Sequence, residues 1–326
     1  MKDILGEEYR GDSKFVAECR KLQSIYRYEI GEAIRPYHGR DGLVHYYGNY
    51  ISNGENPKDG CWKNFFIKYA FDYATERTNP KNKKPYETID KDRLFNNLLS
   101  SQPMAFNLFC PLRKMLKELP DTATKVIKAA LPNHPIYKVT KVDLEFIPGN
   151  YMELTGDKSA MDAIIEFVDT DGRDGFIAIE TKYSENLGSN AAYDIDENGN
   201  KKPRSQNIEA IKELKCFTPD VENSIMEGTT PLTQIYRNFL LSETYGHRKG
   251  LLSYSIILAP KRHPSTKREL DSLTNGLCDE YKEKIEEINL EDFVERIISV
   301  CPVEYATIFE RFYDRYLNFN KLNNID

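Results

Sequence analysis

Apolar positions along the chain follow two periods, and the switch between them lays out the elements. Phe15, Val16, Cys19, Leu22, Ile25 and Tyr26 recur at helical spacing and predict a helix over residues 14–34, with Asp12 or Ser13 as its N-cap. Further helices are expected over 62–76, 92–99 and 104–119, with Pro103 and Pro111 breaking or starting turns. Strand-like runs follow at 136–146, 160–168 and 175–183. The last two are separated by Asp169-Thr-Asp-Gly-Arg-Asp174, whose Gly and Asp content is that of a hairpin turn. Leu232, Ile235, Tyr236, Phe239 and Leu240 form a 3.6-residue stripe for a helix over 230–245, and 251–258 reads as another strand, ended by Ala259-Pro260.

Three segments result: an aromatic-rich, mainly helical extension at 1–90, a central unit at 91–260, and a helical segment at 261–326 that packs on it. The last is read as helical near 267–288, at 290–300 and at 303–319. Its final stripe (Tyr305, Ile308, Phe309, Phe312, Tyr313, Tyr316, Leu317) suits core packing or a dimer face. In the first segment, Tyr37, His38, Arg40, His45, Tyr46 and Tyr47 read either as an irregular aromatic mini-core or as rings that stack on bases. The polar run at 188–204 reads as a long loop that is mobile without substrate.

The candidate chemistry sits where the 175–183 run ends. Gly175 to Ile179 holds four apolar residues in five and reads as a buried central strand, yet it finishes in Glu180-Thr-Lys182. Side chains two apart on a strand point the same way, so Glu180 and Lys182 share a face, and an antiparallel neighbour can set Asp162 beside them. Charges at the mouth of a buried strand are unusual without partners. Two carboxylates and an ammonium converging there suit a hard divalent cation and the phosphate it polarises. The alternative is a strand that runs out into solvent.

Asp162 followed eighteen positions later by Glu180-x-Lys182 resembles the signature of the PD-(D/E)xK, or restriction-endonuclease-like, nuclease superfamily, with Met161 where the motif's proline would stand. The Ser-Ser-Gln-Pro-Met-Ala-Phe-Asn run at 100–107, the strand ending at Glu145 and the Glu-Thr-Lys-Tyr-Ser-Glu run at 180–185 are together similar to a restriction-like branch found in bacterial genomes, over roughly residues 95–260. The resemblance implies an α/β (α+β) fold: a mixed sheet of about four or more strands flanked by helices in the order α-β-β-β-α-β, with helical N- and C-terminal extensions. It also implies Mg²⁺-dependent hydrolysis of DNA phosphodiester bonds, with Mn²⁺ able to substitute, by an endonuclease of the restriction, defence or mobile-element type. Asp162, Glu180 and the backbone carbonyl of Thr181 would hold the metal, and Lys182 would act on the attacking water or the scissile phosphate. Glu145 is a further candidate ligand or an edge-strand surface acid. Gln234 resembles the helix glutamine found beside such sites, or is a surface residue; Glu185 and Glu153 are weaker candidates. A catalytically inactive module of this fold, binding nucleic acid or protein, is the competing reading.

Composition narrows the rest. Forty per cent hydrophobic residues are ample for a core, and no run approaches the roughly 18 apolar residues of a membrane span. With no signal-peptide core at the N-terminus and six scattered cysteines without a CxxC pair, a soluble, cytoplasmic protein is expected, without structural zinc or disulfides. A net charge of −6 disfavours indiscriminate coating of DNA and favours a specific or partner-delivered substrate; a homodimer or a partner protein is a separate expectation. Basic clusters occur at Lys81, Lys83 and Lys84, at Lys201, Lys202 and Arg204, and at Lys261, Arg262, His263, Lys267 and Arg268. GxSxG, GxxxxGK[ST] and HExxH are absent, and the five histidines show no metal-ligand spacing.

Overall fold

A computed structural model describes residues 2–39, 41–57, 61–82, 88–156, 159–187, 193–195, 197, 199 and 201–324. In chain order it contains α1 (Lys2–Leu5), α2 (Lys14–Glu29), β1 (Tyr37–His38), β2 (Val44–His45), α3 (Lys68–Thr78), α4 (Lys91–Asn96), α5 (Ser101–Glu118) and α6 (Pro120–Ala130). Next come β3 (Lys138–Phe146), α7 (Tyr151–Leu154), β4 (Met161–Val168), β5 (Asp174–Thr181), β6 (Asp194–Ile195), β7 (Lys201–Lys202), α8 (Ser205–Leu214) and α9 (Pro219–Met226). The chain continues through α10 (Gln234–Lys249), β8 (Leu252–Ala259), α11 (Thr266–Gly276), α12 (Asp279–Lys282), β9 (Ile285–Asn289), α13 (Leu290–Val300) and α14 (Val303–Tyr316).

The central sheet has the order β3-β4-β5-β8-β9. β3, β4 and β5 form an antiparallel meander, and β8 and β9 add in parallel. With the elements between them left out, the order α5-β3-β4-β5-α10-β8 matches the expected α-β-β-β-α-β. Alternation along β5 divides the core. Ile177 and Ile179 join the cluster under α5, α6 and α13, whereas Phe176 and Ala178 turn to the α10 side, where Leu241 packs on them. Glu180 is next in line on the Ala178 face, so the strand delivers it beneath α10. Among the described residues, no helix is long and apolar enough to cross a membrane.

Several expectations change here. The stretch 267–288 is not one helical run: it breaks after Gly276, and Ile285–Asn289 is a sheet strand. Ile285 and Ile288 are buried at an i, i+3 spacing that imitates a helix, but parallel pairing with β8 overrides that local signal. Pro111 neither breaks nor starts a turn and lies inside α5. It removes one bond to the Asn107 carbonyl, and the helix persists because every residue from Ser101 to Leu112 is buried. The first long helix stops at Glu29, and the one expected from residue 62 begins only at Lys68. α6, α8 and α9 were not anticipated. Of the polar run at 188–204, residues 188–192, 196, 198 and 200 lie outside the described residues; the rest includes the β6–β7 ribbon, Asp194 and Ile195 pairing with Lys202 and Lys201. In the aromatic stretch Tyr37 stacks on Tyr50, His45 on Tyr47, and Tyr9 meets Tyr47 edge-on; Tyr47 is buried, His38 and Tyr46 are exposed, and Arg40 lies outside the described residues.

One apolar cluster draws on all three segments, from Phe15 and Phe65 through Leu108 and Ile179 to Phe312 and Tyr316. Arg315, 1% exposed, lies within it. Its guanidinium donates to Gln23 Oε1 (2.9 Å), Asn64 O (2.9 Å) and Asn64 Oδ1 (2.6 Å), and it lies over the rings of Tyr26 and Tyr316. Arg315→Ala would strip buried acceptors of their donors and leave a cavity. The expected cost is about 3 kcal/mol or more, read as a lower denaturant midpoint with an unchanged slope.

Candidate active site

A tight turn sets the register. Asp169 Oδ1 accepts from the amides of Asp171 (2.9 Å) and Arg173 (2.8 Å), and Gly172 supplies the φ of +80° that closes the hairpin. Pairing then runs from Val168–Asp174 to Ala163–Ile179 and stops, leaving Asp162 beside the end of β5. The Asp162 carboxylate replaces the next rung of the ladder: its Oδ2 accepts from Thr181 N (2.7 Å) and Thr181 Oγ1 (2.8 Å). On the other side Lys182 N donates to Leu258 O (2.8 Å), which holds the Glu180-Thr-Lys182 segment against β8. Glu180 and Lys182 are 8% and 6% exposed, and their side chains meet, Lys182 Nζ lying 2.7 Å from Glu180 Oε1.

The first turn of α10 closes over this pair. Gln234 Nε2 donates to Glu180 Oε1 (2.8 Å), while Gln234 Oε1 accepts from Lys182 Nζ (3.1 Å). Asn238, one helical turn on, donates from Nδ2 to Glu180 Oε2 (2.8 Å). Glu145, 7% exposed near the end of β3, accepts from Gln102 Nε2 of α5 (2.8 Å). The structure thus brings Asp162, Glu180, Lys182 and Gln234 into direct or one-residue contact, with Glu145 held nearby by Gln102. Two members were not singled out from the sequence. The Gln234–Asn238 spacing was a readable signal for Asn238, and Gln102 lay within the 100–107 run without a role. Glu185 takes a different part: it accepts from Ser101 N (2.9 Å) and Ser101 Oγ (3.0 Å) at the start of α5. Glu153 is exposed on α7.

Burial, and then the charge of Asp162, pushes Glu180 up to about 8 and Glu145 up to about 7. Burial also raises Asp162, against the pull of Lys182 and the Thr181 donors. Lys182 is raised: burial alone would lower it, but Glu180, Asp162 and Glu185 outweigh that. The buried carboxyls gathered round one ammonium thus resist ionisation, and a divalent cation would favour their ionised form. The donor set also fits, because carboxylates and a backbone carbonyl are the hard oxygen ligands that Mg²⁺ and Mn²⁺ take. As they stand, however, no group of three His, Cys, Asp or Glu among the described residues is arranged to hold a metal ion. The Glu180 oxygens are occupied by Lys182, Gln234 and Asn238, and the Glu145 carboxylate is turned to Gln102.

The family model of the PD-(D/E)XK nuclease superfamily matches residues 10–318. The chain belongs to that superfamily. No curated protein and no solved structure matches it. PD-(D/E)XK nucleases hydrolyse phosphodiester bonds and typically use divalent metal ions. The match to this superfamily extends well beyond the roughly 95–260 covered by the sequence resemblance and takes in α2 and α14.

The basic clusters vary in setting. Arg262 is paired with Glu18 (2.7 Å), and His263 is buried with Nε2 3.0 Å from Glu185 O. Lys202 lies in the ribbon, and Lys83 and Lys84 fall outside the described residues.

Proposed function

We propose that this superfamily member is a Mg²⁺-dependent endonuclease that cuts DNA, of the restriction, defence or mobile-element type. The observation that carries this reading is the Glu180–Lys182 pair, 2.7 Å apart at the end of a buried strand with Asp162 beside it, in a chain of a nuclease superfamily. Asp162 and Glu180 would hold the cation together with the Thr181 carbonyl, and Glu145 would be a further ligand. When bound, the cation supplies Lewis acidity and a more acidic water. Lys182 would orient the attacking water and hold charge developing on the phosphoryl oxygens. Gln234 would keep Lys182 and Glu180 in register, and Asn238 would fix the second Glu180 oxygen. Incubation of the protein with linear, circular and single-stranded DNA in Mg²⁺, against the same mixtures in chelator, tests the proposal. Cleavage of circular DNA that the chelator abolishes is expected. Intact DNA in every form would favour the binding-module reading.

The raised carboxylates give a pH prediction. Glu180 at about 8 and Glu145 at about 7 hold protons near neutrality in the metal-free fold that the unfolded chain, with ordinary values of 4.5, has lost. Their contribution to stability is therefore fully present below about pH 4.5 and is lost as pH rises through 7 and 8. Cation binding must expel those protons, so apparent Mn²⁺ affinity should rise with pH across that window and level off above it. Calorimetric titrations spanning roughly pH 6 to 8.5 would check this, and affinity that falls with pH would contradict it.

A further inference from the structure

Glu145 has an unusual backbone. Among the described residues, Asn53, Lys63, Glu145 and Lys215 are the non-glycine residues with φ in the left-handed region, and only Glu145, at 49°, belongs to a strand. Strand pairing does not end there. Leu144 pairs with Ala163 and Phe146 with Met161, so Glu145 is twisted one residue short of the end of the ladder, with Asp162 at the facing register position. Such a conformation is costly for a residue with a side chain and persists only where its surroundings impose it.

The surroundings include one guanidinium. Arg77 Nη1 donates to Leu144 O (2.5 Å) and Arg77 Nη2 to Glu145 O (3.1 Å). In extended backbone successive carbonyls point to opposite edges of a strand. Two adjacent ones can meet a single planar fork only if the residue between the two peptide groups leaves the extended region, as Glu145 does. Arg77 is itself anchored, with Nη1 also donating to Tyr73 Oη (3.0 Å) and Tyr73 Oη donating to Asp143. Glu145 is therefore gripped at both ends: its carbonyl by Arg77 of α3, its carboxylate by Gln102 of α5.

We propose that Arg77 is a positioning residue of the active site. By binding the Leu144 and Glu145 carbonyls together it imposes the backbone turn that keeps the Glu145 carboxylate beside Asp162. A residue of the 1–90 segment, with no part in the motif, thereby sets the geometry of the catalytic sheet. That the turn serves a cation rests on the nuclease reading; that Arg77 imposes it does not.

Two measurements on the full chain test this. Crystal structures of wild type, Arg77→Ala and Arg77→Lys report the backbone. Glu145 should remain left-handed in wild type and return to extended geometry in both variants, because an ammonium donates from one point and lacks the fork. Mn²⁺ titrations of wild type, Arg77→Ala, Glu145→Gln and the double variant report the consequence. Arg77→Ala should weaken Mn²⁺ binding by about 10–100-fold, the usual effect of losing a group that orients a ligand, and should weaken it no further once Glu145 is already glutamine. The inference is overturned if Glu145 stays left-handed without Arg77, or if Arg77→Ala costs as much affinity in the Glu145→Gln background. If the alanine variant does not fold, the lysine variant carries both readings. Absent Mn²⁺ binding in wild type counts against the nuclease reading, and the crystal structures then decide the role of Arg77.

Discussion

Lys182→Ala is expected to lower the DNA cleavage rate by about 10²–10³-fold or more, the range seen when one positioned charge-stabilising donor is removed, while most of the affinity for DNA survives. Lys182 is 6% exposed, contacts Glu180 at 2.7 Å and is held by Gln234 at 3.1 Å, so its ammonium has a fixed place. It would act on water and phosphoryl charge that exist only along the reaction path, whereas ground-state affinity comes from many phosphate contacts over a wider surface. Gel shifts in Ca²⁺ paired with cleavage in Mg²⁺ on the same DNA separate the two. Comparable cutting by wild type and variant would show that the Glu180-x-Lys182 assignment is wrong.

The second large effect concerns metal binding. In an Asp162→Ala, Glu180→Ala double variant the main Mn²⁺ site should disappear from calorimetric titrations. Both removed side chains are hard oxygen donors at adjoining strand ends, and the charge of Asp162 helps to raise Glu180. Removing these carboxylates relieves unfavourable desolvation but leaves the buried Lys182 ammonium without its partner and Gln234, Asn238 and Thr181 without acceptors. Circular dichroism is therefore recorded alongside, and loss of the site is read only from folded variant. Unchanged Mn²⁺ affinity would place the cation elsewhere.

The hairpin, the stripe on α10 and the Glu180-Thr-Lys182 segment were legible because each depends on local chemistry: a Gly/Asp turn, a 3.6-residue repeat, and charges ending an apolar run. The supporting residues were much less so. Gln102, Asn238 and Arg77 are polar residues on helices, where most such side chains face water, and only the packing of those helices on the sheet brings them to Glu145 and Glu180. β9 was hidden for the opposite reason. Its two isoleucines carry helical spacing, and its strand conformation comes from a neighbour distant in sequence. Pro111 misled because a rule for solvated helices was applied to one buried along its middle turns.

Tyr183, directly after Lys182, has a consequence for synthesis. Gln23 Nε2 donates to its hydroxyl (2.9 Å) and to Arg315 O (3.1 Å), and the Tyr316 ring meets the Tyr183 ring edge-on at 5.3 Å. The residue behind the candidate lysine is thus clasped between the first long helix and α14. A nascent chain whose residue 316 is still inside the ribosome already carries Asp162, Glu180 and Lys182 in the open, but not the clasp. Because contacts so distant in sequence close late in folding, full packing behind Lys182 is expected only once the last helix has joined.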